Sequence, residues 1–443
     1  MGWGLRCSAA LRATAVCVAA SLASAGAAAD SGEQSAPATA LPLSARARLE
    51  WLSAAGTTAP RDSPVNPDNA ILLLPQAAAS TELRPDLQVE AGRALRGVAR
   101  PRLLLTVQKS RVAGEWQPES SDARVDWIEL YASWQADEHV AVAYGLQNYQ
   151  WGPAELVSPS NRIFHATGFA RDPLYVVYGK HLARVNLSAG RSWSAVLLAE
   201  VRPNAEAPFV AGEPFEPKVE AKLEWSDPGG RGYAAVAGGA GRDSRGFFGE
   251  YASLAVGDAL SIYADAVHQL GSRAWYPVDG GVGGARFEHP ATGAGLRTLA
   301  LGGIRYTFEG GTDLRLEYLF DEAGWTVGQL RLAERAAAST PTAPASPDAV
   351  AAWLDPGFEV GGRQHAYASL SLPDLPPHKR TTVALRYLHA LEDGSGAAFA
   401  TASYAATDSL VLFTTCAASH GEDHGALSRL ARATALAGAT VTW

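Results

Sequence analysis

The sequence is poor in sulfur: its 443 residues hold three cysteines and one methionine. Cys7 and Cys17 sit in a segment argued below to be removed, which leaves Cys416 by itself and excludes an internal disulfide. Metal sites of the Cys-x-x-Cys type are excluded on the same ground. A long apolar run is missing beyond the N-terminus, and the mean hydropathy is only −0.04. A helical membrane bundle needs about 20 mostly apolar residues per span and would score well above that value, so it too is excluded. A basic excess is also lacking. With 37 Lys and Arg against 45 Asp and Glu the net charge is −8, which argues against a nucleic-acid partner. Histidines are present at His139, His165, His268, His420 and His424, but no Gly-x-Ser-x-Gly elbow accompanies them. The chain is therefore not read as an enzyme, and no catalytic residue and no cofactor is expected.

What is present points to export and then to strands. Arg6 and Arg12 flank an apolar run over 13–28, and Ala27-Ala28-Ala29 precedes Asp30, the layout of a secretory signal peptide over 1–29. Residues 30–98, rich in Ala, Pro and Ser, are predicted to be an irregular periplasmic N-terminal segment, plug-like or partly disordered. From 99 to 443 the texture changes to runs of about ten residues in which apolar and polar side chains alternate, separated by turn residues.

The stretch 218–226 shows the alternation well. Val219, Ala221, Leu223 and Trp225 share one face, and Lys218, Glu220, Lys222 and Glu224 share the other. Sixteen such runs are read: 99–111, 124–136, 139–150, 173–181, 193–202, 218–226, 231–241, 247–256, 259–270, 297–308, 313–321, 364–374, 380–391, 396–407, 409–419 and 431–443. An even number returns both ends of the chain to one side of a membrane. Alternate connections should then be tight, and all but one are; the exception is the stretch near 182–192. The remaining connections are mostly long, with 242–246 and 392–395 as short exceptions. The fold class predicted is all-β, a transmembrane antiparallel β-barrel of sixteen strands within a range of 14–18.

The last run alternates Ala433, Ala435, Ala437, Ala439 and Val441 with polar or small residues and ends on Trp443. In this the chain resembles Gram-negative outer-membrane proteins, whose closing strand ends in an aromatic residue that the barrel-assembly machinery reads. The resemblance covers residues 99–443. Within that class, Gly145-Leu146-Gln147-Asn148-Tyr149-Gln150-Trp151-Gly152-Pro153, followed by Ser158-Pro159-Ser160-Asn161, looks like a segment of porin-like and alginate-export-like families. The resemblance implies an outer-membrane location, contact with outer-membrane lipid, and assembly by that machinery. Porins are commonly trimers, so a homo-oligomer is compatible with the resemblance, although no segment marks a subunit interface.

A barrel of about sixteen strands leaves a lumen wide enough for solutes unless a loop fills it. The residues predicted to line it are Arg102, Glu129, Lys218, Glu220, Lys222, Glu224, Asp265, Arg315, Glu317 and Arg386. Two readings of their mixed charges stay open: a transverse field that orients solutes, or cross-strand pairs that hold the wall. The connection 151–172, with Trp151, Glu155, Asn161, Arg162, Phe164 and His165, has two readings: a constriction loop folded inward to narrow the pore, or a loop packed on the barrel rim. Trp134, Trp193, Trp225 and Tyr387 suit aromatic girdles at the lipid headgroups. The cluster 419–424, with His420 and His424, falls in the last long loop, where polar residues are ordinary, and no metal is expected there. The function expected is a porin-like channel for diffusion or export of small polar solutes. The alternative is a non-conducting barrel whose loops organise surface polysaccharide or envelope assembly.

Overall fold

The computed structural model describes residues 42–164, 168–203, 217–241, 246–272, 274–280, 284–289, 295–338, 346–358, 360–377 and 379–443. The expected signal peptide, residues 30–41 and His165 lie outside the described residues.

Eighteen strands form one antiparallel sheet. They are β1 (Leu43–Pro60), β2 (Ala77–Ala91), β3 (Leu95–Lys109), β6 (Ser120–Gln135), β7 (Val140–Gln147), β8 (Lys180–Ala189), β9 (Trp193–Arg202), β10 (Lys218–Ser226) and β11 (Gly232–Gly241). The circuit continues through β12 (Phe247–Val256), β13 (Leu260–Leu270), β16 (Leu296–Thr307), β17 (Asp313–Asp321), β18 (Gln364–Leu375), β19 (Thr381–Ala390), β20 (Gly396–Ala405), β21 (Leu410–His420) and β22 (Ala431–Thr442). Four short strands, β4 (Arg111–Val112) with β5 (Glu115–Trp116) and β14 (Tyr276–Asp279) with β15 (Ala285–Glu288), make two hairpins outside this sheet. The sheet closes where β1 pairs with β22, in a register that sets Trp51 against Val441 and Ala55 against Ala437. Beyond the last pair, Trp443 N–H donates to Leu49 O at 3.0 Å and Leu49 N–H to Trp443 O at 3.2 Å. Closure leaves no open edge, the condition a sheet must meet to cross a bilayer. No helix among the described residues is long and apolar enough to cross a membrane.

The strand number is eighteen, not sixteen. The two additional strands, β1 and β2, come from the segment expected to be periplasmic, so the wall begins at Leu43 rather than at residue 99. Their pattern is weak for a physical reason. Over 53–59 β1 offers only Ser, Ala, Gly and Thr, which carry little contrast between faces, and β2 contains Pro85, which cannot donate to the ladder. Leu52 nevertheless faces inward, fully buried, while its neighbour Trp51 faces outward.

A second correction concerns the run 173–181. The eighth element is Lys180–Ala189, and residues 173–179 belong to the preceding loop. This shift makes 190–192 a tight turn and removes the one exception among the tight connections, while 242–246 and 391–395 stay short at the opposite end. One end of the barrel now carries 92–94, 136–139, 190–192, 227–231, 257–259, 308–312, 376–380 and 406–409, all tight; the long connections are all at the other end.

The two faces separate as the alternation requires. Val219 is 52% exposed and Glu220 is 1% exposed, although they are neighbours on β10. At the long-loop end the connection 322–363 carries α1 (Val327–Ala337), opened by a capping box between Thr326 and Gln329, and α2 (Pro347–Leu354). Leu330, Ala333, Val350, Trp325 and Trp353 pack there with Val65 and Ala426 from neighbouring loops. Arg429, in the last loop, donates to the carbonyls of Trp353 at 2.8 Å and Leu354 at 3.4 Å, at the C-terminal end of α2. Burial pushes its guanidinium down to about 10.

Candidate functional site

The described residues of the long connection 148–179, between β7 and β8, run inside the barrel as a strap. Its start is held by the wall it leaves: Asn148 N–H donates to Glu129 at 3.0 Å, and Arg184 of β8 lies 4.4 Å over the ring of Tyr149. Gly152 then turns with φ +101°, a conformation open to glycine. A Cβ at Gly152 would meet Ser158 Oγ at 2.0 Å and Asp265 Oδ2 at 2.4 Å, so the close approach to the wall also needs glycine.

The middle of the strap is pinned to the far wall by buried carboxylates. Glu317 on β17 accepts Glu155 N–H at 2.7 Å, Leu156 N–H at 2.8 Å and the Tyr263 hydroxyl at 2.7 Å. Asp265 on β13 accepts the Ser158 hydroxyl at 2.7 Å and Ser160 N–H at 2.8 Å. Glu155 reaches in the opposite sense, from strap to wall. It accepts Tyr367 at 3.1 Å, Ser369 at 2.9 Å and Arg386 at 3.4 Å, and pairs with Arg315 at 3.3 Å. Leu156 and Val157 bury themselves against Tyr263, Leu301, Leu319 and Leu388 of the same wall.

The strap then returns. Asn161 closes a turn by accepting Phe164 N–H at 3.0 Å, and Lys218 Nζ donates to Arg162 O at 3.4 Å. Trp151, Ile163 and Phe164 pack on Leu182, Val196, Leu198 and Tyr251, while Phe169 meets Phe399 on β20. The last part is fixed by Arg84, which donates to Pro173 O at 3.1 Å and Leu174 O at 3.3 Å, and by Tyr178, which donates to Asp126 at 2.8 Å. A cavity of about 120 Å³ remains beside the strap, bordered by Trp151, Glu155, Asn161, Phe164 and Arg171.

The residues read as pore-lining are all on the inward face, but they do three different things. Arg102 with Glu82, Glu129 with Arg100, and Lys222 with Glu224 at 3.0 Å are wall pairs. Asp265, Glu317, Arg315 and Arg386 anchor the strap. Lys218 touches the strap backbone, and Glu220 is buried on the same strand. Anchoring was absent from both readings of the charges. Sequence reasoning also missed Glu82, Arg84, Asp126, Tyr178, Tyr263, Tyr367 and Ser369. For Glu82 and Arg84 the cause is their place in the segment assigned to the periplasm; for Tyr178 it is the strand misplaced over 173–181. Ser158 and Ser160 were visible only as part of a loop motif, without partners.

His420 and His424 do not come together. His424 pairs with Glu422 at 2.8 Å and lies 3.8 Å from Glu334 of α1, whereas His420 turns outward to Tyr387. Burial pushes the Glu334 carboxyl up.

A closed, inward-polar barrel with tight turns at one end and long loops at the other, one of them folded into the lumen, has the fold of Gram-negative outer-membrane porins. By fold the chain is similar to OccK11 (OpdR) of Pseudomonas aeruginosa, at TM-score 0.52 and 13% identity over 90% of this chain and 95% of that one. It is likewise similar to OccK7 (OpdD) of the same organism, at 0.52 and 12% over 90% and 98%. OccAB1 of Acinetobacter baumannii gives 0.52 and 10% over 90% and 96%. No protein-family model matches the sequence, and no characterised protein matches it by sequence.

Proposed function

We propose that this protein is a porin-like channel in the outer membrane of a Gram-negative bacterium, passing small polar solutes through a lumen narrowed by the strap 148–179. The observation that carries the reading is the pinning of that strap to the far wall by Asp265 and Glu317. A carboxylate that accepts two or more hydrogen bonds from a loop holds it in one place, and a loop fixed at mid-lumen sets the bore. Trp151, Phe164 and Arg171 beside the remaining cavity give a passing solute aromatic and cationic contacts. The closing strand β22 is the element through which the barrel-assembly machinery would take up the chain.

A second reading, a non-conducting barrel whose loops work at the cell surface, draws on the apolar cap built from α1, α2 and neighbouring loops at the long-loop end. Swelling of liposomes that hold the refolded protein separates the two. The channel reading expects swelling with small sugars or amino acids, at a rate that falls with solute size. Liposomes no leakier than protein-free ones would favour the surface role.

A further inference from the structure

On the outer face of the wall, at the long-loop end, three side chains converge. Tyr387 and His389 lie on β19 and His420 on β21, separated by β20. The register sets His389 opposite Gly396 and Gly396 opposite His420, so the three positions form one row across the strands. Tyr387, two residues before His389, shares its outward face and is 39% exposed. The next row, Ala398 and Ala418, is small and leaves the rings room to lie flat.

The three rings are nearly parallel, with centroids 6.0 to 6.2 Å apart. One nitrogen of each imidazole points at the phenolic oxygen: Tyr387 Oη stands 3.2 Å from His389 Nδ1 and 2.9 Å from His420 Nε2. The phenol has a single proton and can donate to only one imidazole at a time. Gly396 makes the convergence possible. A Cβ there would stand 2.3 Å from His420 Nε2 and 2.7 Å from Tyr387 Oη, so any side chain would push the imidazole away from the phenol.

We propose that Tyr387, His389 and His420 form a surface site for a divalent transition-metal ion of the Zn²⁺ type. Ligand atoms held about 2.0–2.1 Å from such an ion are separated from one another by roughly 3.0–3.4 Å. The two oxygen-to-nitrogen separations, 3.2 and 2.9 Å, lie within or just below that spacing. Two neutral imidazoles and a phenolate suit zinc, copper or nickel and not the hard cations calcium and magnesium. On binding, each imidazole contributes a nitrogen lone pair, the phenol releases its proton to solvent, and water takes the fourth position. No group of three His, Cys, Asp or Glu side chains suited to a metal occurs among the described residues; here the third ligand is a phenol. The inference is independent of whether the lumen conducts.

The test is titration of the detergent-solubilised full chain, without an affinity tag, with Zn²⁺ in a calorimeter. The expected result is one equivalent bound by the native chain and at least tenfold weaker binding in the H389A/H420A double variant. G396A keeps all three ligands and closes the site, and it should weaken binding to a similar degree; heat-modifiable gel mobility verifies that each variant is folded. Y387F should retain binding through the two imidazoles with reduced affinity. An absence of Zn²⁺ binding by the native chain, or binding unchanged in both H389A/H420A and G396A, overturns the proposal.

Discussion

Glu317 accepts the backbone N–H of Leu156 at 2.8 Å, and this bond ties a strand of the wall to a loop 161 positions away in sequence. Leu156 belongs to the strap that leaves β7, whereas Glu317 stands on β17, nearly half the circuit away. The same carboxylate also holds the part-buried Glu155 N–H, so a single side chain satisfies two donors of a loop that has no ladder of its own. Losing a buried partner of this kind costs about 1–3 kcal/mol. In E317Q one acceptor oxygen remains and an NH₂ group faces an N–H. The expected outcome is hydrogen exchange at Leu156 faster by roughly five- to a hundredfold, with the amides of β17 unchanged. Equal exchange in both chains would show that the bond does not hold the strap.

Glu155 neutralises Arg315 and Arg386 from the strap side. Arg315 has a second acid, Asp313 at 3.2 Å, while the only ion pair of Arg386 among the described residues is with Glu155. In E155Q a cation is therefore uncovered at the narrow part of the lumen. The reversal potential across a KCl gradient is expected to move toward that of chloride, by an amount that shrinks as salt rises. A shift toward potassium would contradict the placement of these charges.

Strand number has its own test. Deleting 43–94 leaves sixteen strands, the number expected from sequence, but forces β3 to close on β22. Trp51, Leu52 and their registers with β22 and β2 are lost. The deletion is expected to abolish heat-modifiable mobility, because the barrel cannot close without unpaired edges. A heat-modifiable, β-rich product would mean that β1 and β2 are dispensable.

The orientation of the two faces is tested on β10. Leu223 is 46% exposed on the outer face, and Lys222 beside it is 8% exposed inside. L223R places a charge against lipid and is expected to destabilise the refolded barrel by about 2–4 kcal/mol if it lies near the midplane. L223A should cost much less. Both are read from reversible urea unfolding in vesicles, where equal losses for the two variants would contradict the assignment of the lipid face.

The wall was legible wherever side chains of opposite character alternate. On β10, Lys-Val-Glu-Ala-Lys-Leu-Glu-Trp gives two faces at sight, and the strand found is the strand expected. It was not legible over 53–59 of β1, where Ala, Ser, Gly and Thr occupy both faces and the information lies in the pairing with β2 and β22. The strap shows the same limit. Its inward fold could be expected from its length and its Trp, Glu and Asn residues, and the inward carboxylates from strand phase. That Asp265 and Glu317 hold the strap, instead of pairing with basic neighbours on the wall, depends on contacts across the barrel. No local spacing encodes those. His420 makes the point in miniature. Its sequence neighbours suggested a grouping with His424, and the register of β19, β20 and β21 groups it with Tyr387 and His389 instead.

The most direct measurement of the central claim is single-channel current in planar bilayers, comparing the native chain with a variant carrying E155Q, D265N and E317Q. The strap account expects discrete steps above leak in the native protein and larger, noisier steps in the triple variant, with its barrel mobility intact. A native chain with no steps, or a triple variant of unchanged conductance, would contradict a lumen whose bore is set by the strap.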